Sequence, residues 1–334
     1  MGKQTVRLEG PVVILGSAAA VGRKEAEGPL RERFDRVFQD SYCGQASWEK
    51  AESILQKTSV RLACGKAGIE PEWLDCVFAG DLLNQCIASA YAQRGLDVPF
   101  FGLYGACSTM AESLSLAAMA VDGGFARLCA AVTSSHFCSA ERQFRTPLEY
   151  GGQRSPTAQW TATAAGCCVL ARHGEGPRVT HLTWGEVFDA GVTDMSNMGG
   201  AMAPAAYKTL WQHFADTGRT PRDYDLILTG DLGALGAEVL TEFFARDGMD
   251  LAGRYDDSGL LLFSRETQDV HAGGSGCGCS AAVLCGHVLR GMREGRWKRV
   301  LFAATGALMS PTACMQGESI PAICHAAAIT TEEE

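Results

Sequence analysis

Gly68-Ile69-Glu70-Pro71-Glu72-Trp73-Leu74-Asp75-Cys76-Val77-Phe78-Ala79-Gly80-Asp81-Leu82 reads as a proline-containing loop feeding a buried strand that ends at Gly80. The chain says it again 150 residues later, as Gly218-Arg219-Thr220-Pro221-Arg222-Asp223-Tyr224-Asp225-Leu226-Ile227-Leu228-Thr229-Gly230-Asp231-Leu232. The glycines, the proline, both aspartates and the final leucine keep register. A helical pattern precedes each copy: Trp48 to Lys66, where Ala51, Ile54, Leu55, Val60, Leu62 and Ala63 recur at helical spacing, and Ala205 to Phe214.

The repetition continues downstream. Cys107-Ser108 opening a helix, then Gly123, Arg127 and a strand ending at Thr133, is echoed by Cys279-Ser280, Gly295, Arg299 and a strand ending at Thr305. This second offset is 172 residues, so the later half carries an insertion between the two echoes. Self-similarity at a fixed offset is a property of the fold rather than of a local segment. Each half reads helix, buried strand, loop, buried helix, buried strand, the alternation of an α/β unit with a sheet covered on both faces. Two such units, 1–178 and 179–334, imply two sheets sandwiching a shared pair of buried helices.

Tyr104-Gly105-Ala106-Cys107-Ser108-Thr109 is a tight glycine turn that places a cysteine at the opening of the first of these helices. A helix N-terminus favours an anion and lowers the pKa of a thiol held there. Cys107 is therefore a candidate nucleophile or the floor of an anion pocket; the plain alternative is a small buried cysteine.

The 334 residues are 46% hydrophobic and 20% charged, the balance of a soluble globular chain able to bury a sizeable core. Fourteen cysteines, most of them in apolar runs, indicate reduced thiols in a cytoplasm rather than a disulfide scaffold. A net charge of −9 without a basic stripe excludes generic nucleic-acid binding. No run approaches the roughly 18 apolar residues of a membrane span. The expectation is a protein made in the cytoplasm that does not itself cross a membrane.

Around the cysteine turn, His136 follows the strand after the Cys107 helix and can either face the pocket or rest in a loop. His271 precedes a glycine-rich turn and reads as a loop histidine. Cys277 and Cys279, a lone Cys-x-Cys, read as small residues where a buried helix starts rather than as a metal pair. Glu141 to Trp160 brings Arg142, Arg145 and Arg154, which would either clamp carboxylates or meet the excess of acids on a solvated loop. Asp189, Asp194, Asn197 and Gly199 to Pro204 read as a second pocket wall before the Ala205 helix.

The duplicated units and the Gly-Ala-Cys-Ser turn resemble the thiolase-like superfamily. That resemblance implies a duplicated α/β/α/β/α five-layer sandwich with two buried central helices, and a homodimer. In its condensing enzymes the cysteine works with histidine and asparagine presented after second-half strands, and in thiolases with a second cysteine. Here Thr229-Gly230-Asp231-Leu232-Gly233 stands where a His-x-x-Asn pattern is expected, and Ala303 to Leu308 carries no cysteine; Cys314, after Ser310-Pro311, has the wrong context.

Within the superfamily, Ala79-Gly80-Asp81-Leu82-Leu83-Asn84-Gln85, Thr133-Ser134-Ser135-His136, Ala140-Glu141-Arg142-Gln143-Phe144-Arg145, Ala201-Met202-Ala203-Pro204 and Ala272-Gly273-Gly274-Ser275-Gly276-Cys277 resemble the stage V sporulation protein AD family, over essentially the whole chain. This implies a thiolase-fold protein without established thiolase chemistry. It would bind dipicolinic acid (pyridine-2,6-dicarboxylate) or its calcium chelate for uptake into the developing spore, with SpoVA membrane partners, at the periphery of the spore inner membrane. A flat aromatic dianion wants a helix N-terminus or arginines at its carboxylates and an apolar slot for its ring. The expected ligand-binding residues are Cys107, His136, Asp231, Arg142, Arg145 and Asn197, with no cofactor and no metal held by the protein itself, calcium arriving with the ligand. Two rivals stand beside this reading: an active acyl-transferring condensing enzyme with Cys107 as nucleophile and Asp231 or His136 as base, and a pure scaffold.

Overall fold

The computed structural model of the chain describes residues 2–144 and 154–332. Its main sheet runs Tyr255–Asp257, Leu226–Thr229, Arg299–Ala307, Pro321–Thr330, Arg178–Thr183, Thr5–Gly22, Ala164–Ala171, Leu128–Ser135, Cys76–Gly80, Phe100–Leu103. Read outward from its centre, this order is the same in both directions. The strand Thr5–Gly22 corresponds to Arg178–Thr183, Cys76–Gly80 to Leu226–Thr229, and Leu128–Ser135 to Arg299–Ala307. The repeated sentence is thus a repeated topology.

Its hydrogen bonds repeat as well. Asp75 accepts the backbone N–H groups of Arg127 and Leu128 at 2.6 and 3.0 Å, and Asp225 those of Lys298 and Arg299 at 2.7 and 3.0 Å. In each half the carboxylate ties the loop before one strand to the start of its neighbour. The prolines Pro71 and Pro221 each open a short 3-10 turn just upstream, where a missing N–H costs nothing.

One expectation changes. The two sheets are joined edge to edge, because Thr5, Val6 and Arg7 pair antiparallel with Thr183, Leu182 and His181. The register shifts between Arg7 and Val12, and Val13 to Val21 then pair with Ala171 to Ala164, so a single strand serves both halves.

The layers are those expected. Helix Thr109–Asp122 and the run Cys277–Ala282, Val283–Val288 and Leu289–Arg293 lie between the halves. Met110, Leu114, Val283 and Leu284 share one core with Cys129 and Leu170 of the first half and Val300, Phe302 and Ile329 of the second. Helix Trp48–Lys66 covers the first half through Val60, Ala63 and Cys64, which meet Val77, Ala130 and Val169. Helix Met198–Thr217 covers the second through Met202, Leu210 and Phe214, against Ile227, Leu301 and Ala326. That helix begins earlier than Ala205: Gly199 to Pro204, read from sequence as a wall before it, are its first turns, and the Asn197 side chain caps it by accepting from Gly200 N–H at 3.1 Å.

Candidate functional site

The 3-10 turn Ala106–Ser108 delivers Cys107 to the start of the first central helix. Ala106 has φ of +50°, a left-handed conformation that costs an L-residue of order 1 kcal/mol. The turn is held in it by its neighbours. The Ser108 hydroxyl donates to Gly105 O at 2.7 Å, the Thr109 hydroxyl to Ala106 O at 2.6 Å, and Gly105 N–H to Thr109 Oγ1 at 3.0 Å.

Cys107 opens on a cavity of about 550 Å³. Leu82, Tyr104, Ala140, Phe144, Met195, Met198, Met309 and Met315 give it mainly apolar walls, with Gln159, Thr161 and Ser275 among its polar lining and Glu141 and Asp194 as its charged lining. Among the described lining residues there is no histidine, lysine or arginine.

Asp231 comes in from the second half, on the turn after strand Leu226–Thr229, and is fully buried. Its Oδ1 accepts the Thr305 hydroxyl at 3.0 Å; its Oδ2 accepts the Ser275 hydroxyl at 2.9 Å and Gly276 N–H at 2.8 Å. Burial nevertheless outweighs these donors and raises its pKa. Ser275 Oγ lies 3.9 Å from Cys107 Sγ. The Cys107 thiol is pushed well above its ordinary pKa, first by burial and then by Asp231. The shift is thus opposite to the one expected from sequence for a thiol at a helix N-terminus.

The structure therefore brings Cys107 and Asp231 together, and separates them from the other sequence candidates. His136 is buried, with Nε2 2.7 Å from Ser41 O and Nδ1 accepting Cys138 N–H at 3.2 Å. It lines a different cavity, with Lys24, Glu25, Phe137 and Trp160. Desolvation lowers its pKa, leaving a neutral ring. Arg142 turns away from the Cys107 cavity, pairing with Glu49 and lying 5.4 Å over the Trp48 ring. Asn197 is the helix cap described above, flanked by the lining residues Ser196 and Met198. Arg145 lies outside the described residues.

The readings of Cys277 and His271 agree with the geometry. Cys277 begins the second central helix and clusters with Leu82, Cys107 and Ala140. His271 sits 2.9 Å from Asp269 and 2.8 Å from Ser155 O, away from the cavity lining. Cys314, set aside for its context, does line the cavity, from the short helix Pro311–Met315. Ser275 and Gln159 were missed altogether. Gln159 donates to Asp231 O at 2.7 Å and Gly274 O at 2.8 Å, so the ladder of Trp160-Thr161 with Gly274-Ser275 locks the cavity wall to the Asp231 turn.

Solved structures share this architecture. A 3-oxoacyl-[acyl-carrier-protein] synthase III from Aquifex aeolicus VF5 superposes with a TM-score of 0.60 at 12% identity, covering 96% of this chain and all of that one. A variant of OleA from Xanthomonas campestris gives 0.64 at 16% identity, covering 97% of this chain and all of its own. At such identities the likeness establishes the fold alone, which is thiolase-like. Sequence relationship goes further: the family model for stage V sporulation protein AD (SpoVAD) matches residues 2–330. Stage V sporulation protein AD of Bacillus subtilis (strain 168) is 46% identical over 324 residues, 97% of this chain and 96% of the relative. On a match of that length and identity, the chain belongs to the stage V sporulation protein AD (SpoVAD) family.

Proposed function

We propose that this chain is a non-catalytic binding protein that takes dipicolinate, or its calcium chelate, into the Cys107 cavity and hands it to SpoVA membrane partners during uptake into the developing spore. The observation that carries the reading is the setting of Cys107: it is buried beside the Asp231 carboxyl, both of which raise its thiol pKa, and the cavity's described lining offers no imidazole to take the proton. Acyl transfer needs a thiolate and a base within reach. Cavity volume and apolar walls suit a small planar ring. Asp194 in the lining would repel a free dianion and accept it when a divalent cation is carried with it.

Isothermal titration with dipicolinate, with and without calcium, tests this, with acetyl-CoA and malonyl-CoA as competing ligands and a Cys107→Ala variant alongside. Saturable dipicolinate heat without acylation is expected, weakened in the variant. Covalent acylation of Cys107 with no dipicolinate heat would overturn the reading.

One observation favours the enzyme alternative. Asp231 lies within hydrogen-bond reach of the Cys107 thiol, so its carboxylate would take the thiol proton as sulfur attacks a thioester carbonyl and return it to the leaving thiolate as the tetrahedral intermediate collapses. An acyl adduct on Cys107 in the same titration is the product this alternative requires.

No helix among the described residues is long and apolar enough to cross a membrane. We propose that residence at the spore inner membrane comes from the partners. A homodimer is proposed across Phe100–Leu103, the sheet's outermost strand on this side, where Phe101 is 53% exposed. Light scattering should give twice the chain mass for the wild type and a monomer for Phe101→Lys; a monomeric wild type at micromolar concentration would exclude the dimer.

A further inference from the structure

Two walls of the Cys107 cavity are tied from behind to the same outer helix. Helix Phe137–Phe144 supplies Ala140, Glu141 and Phe144, and the turn after strand Cys76–Gly80 supplies Leu82. Glu52, on helix Trp48–Lys66, is 1% exposed. Its Oε2 accepts the Ser139 hydroxyl at 2.9 Å and its Oε1 the Ser134 hydroxyl at 3.0 Å. Ser139 belongs to the wall helix and Ser134 to the strand leading into it.

One turn along, Gln56 donates to Gly80 O, Ser89 Oγ and Ser134 Oγ at 3.3, 3.0 and 3.1 Å. Asp81 completes the network, accepting Leu83 N–H at 2.8 Å and the Ser89 hydroxyl at 2.6 Å. A buried carboxyl costs stability unless its partners satisfy it. Neither Glu52 nor Asp81 touches the cavity, and no cation forms an ion pair with either among the described residues.

We propose that Glu52 is a positioning residue for the Cys107 cavity, setting where helix Phe137–Phe144 stands against the sheet by bridging Ser139 to Ser134. Loss of the bridge frees the first turns of that helix, since the Ser139 hydroxyl retains only the carbonyl of His136, 3.1 Å away on its own turn. The wall then loosens and the cavity admits small molecules more readily while holding a fitted ligand less well.

The test measures the alkylation rate of Cys107 by iodoacetamide, read from its peptide by mass spectrometry, for wild type, Glu52→Ala, Glu52→Gln and Ser139→Ala. Glu52→Ala should raise the rate by about fivefold to tenfold, as loss of one net hydrogen bond predicts. Glu52→Gln should stay within about twofold of wild type, because an amide can accept from one serine and donate to the other. A purely structural Glu52 would instead lower the melting temperature and leave the rate unchanged. If Glu52→Ala does not fold, Ser139→Ala, which removes one hydroxyl from the wall helix, decides alone, with a smaller rise in the same direction.

Wild-type rates in Glu52→Ala and Ser139→Ala, or an equal change in Glu52→Gln and Glu52→Ala, would overturn the proposal. A parallel dipicolinate titration should show weaker binding in Glu52→Ala. That arm alone rests on the function proposed above: absence of dipicolinate binding in the wild type would defeat that function while the alkylation rates still decide the role of Glu52.

Discussion

The Ser275 hydroxyl donates to Asp231 Oδ2 at 2.9 Å while standing 3.9 Å from Cys107 Sγ. Residues from two halves of the sequence thus meet at one thiol, and the carboxyl works against its ionisation. At pH 8 Cys107 should be alkylated more slowly than an exposed cysteine. Asp231→Asn should accelerate it, by about tenfold for each pKa unit released. A rate that is unchanged or slower in Asp231→Asn would show that Asp231 does not govern the thiol.

Asp75 and Asp225 are equivalent anchors, each accepting two backbone N–H groups from a neighbouring strand. Replacing either by alanine leaves those donors with solvent as their partner. Each single change should lower unfolding stability by about 1–3 kcal/mol in urea denaturation. Being in separate halves, they should add in the double variant. A large effect in one half and none in the other would contradict the equivalence.

The duplication was legible because it is written in local spacing: a proline turn, a buried run and an aspartate recur together, and that order determines which strands neighbour each other. The direction of individual side chains was not. Arg142 sits two residues before a cavity-lining Phe144, yet its helix places Glu49 and Trp48 within its reach and it turns there. His136 is the single residue linking strand Leu128–Ser135 to the helix that starts at Phe137, and the reversal points its ring at Ser41. Ser275 carried no local signal, since its role depends on Cys107 and Asp231, both distant in sequence. The expected depression of the Cys107 pKa failed because the helix end is visible in sequence, whereas the burial of the thiol and the facing carboxyl are not.

The contribution of two buried carboxyls to stability should fall as pH rises between about 4.5 and 7, against buried histidines that act the other way. Burial raises Glu25 from an ordinary 4.5 to about 7 and Asp257 from 3.8 to about 7. In that window the folded state holds protons that the unfolded chain has released, so raising pH favours unfolding; above about 7 the effect is complete. For Glu25 it amounts to on the order of 3 kcal/mol. Burial lowers His213, His287 and His325 from 6.5 to about 3, 4 and 4, and these act with the opposite sign in the same range, while Asp75 and Asp216, held below their ordinary pKa, do so at lower pH. Between pH 5 and pH 8 the melting temperature of Glu25→Gln should rise relative to that of the wild type. A difference that stays constant over that range would show that Glu25 ionises normally in the folded protein.

Gly306 fixes how closely the second half approaches the cysteine turn. A Cβ added there would lie 2.4 Å from Gly105 O and 3.0 Å from Ser108 N, both backbone atoms that cannot swing aside. The strand Arg299–Ala307 is bonded along its length to Pro321–Thr330, so it cannot yield either. Strain from Gly306→Ala must therefore pass into the turn, where Ala106 already holds a left-handed conformation. Overpacking of this kind costs about 1–3 kcal/mol. Gly306→Ala should accordingly lower the melting temperature and change the Cys107 alkylation rate together, whereas Gly295→Ala, at a turn with open space around its Cβ position and a φ of +79°, should affect stability alone. A Gly306→Ala protein with wild-type alkylation would mean that the turn is not seated on this strand.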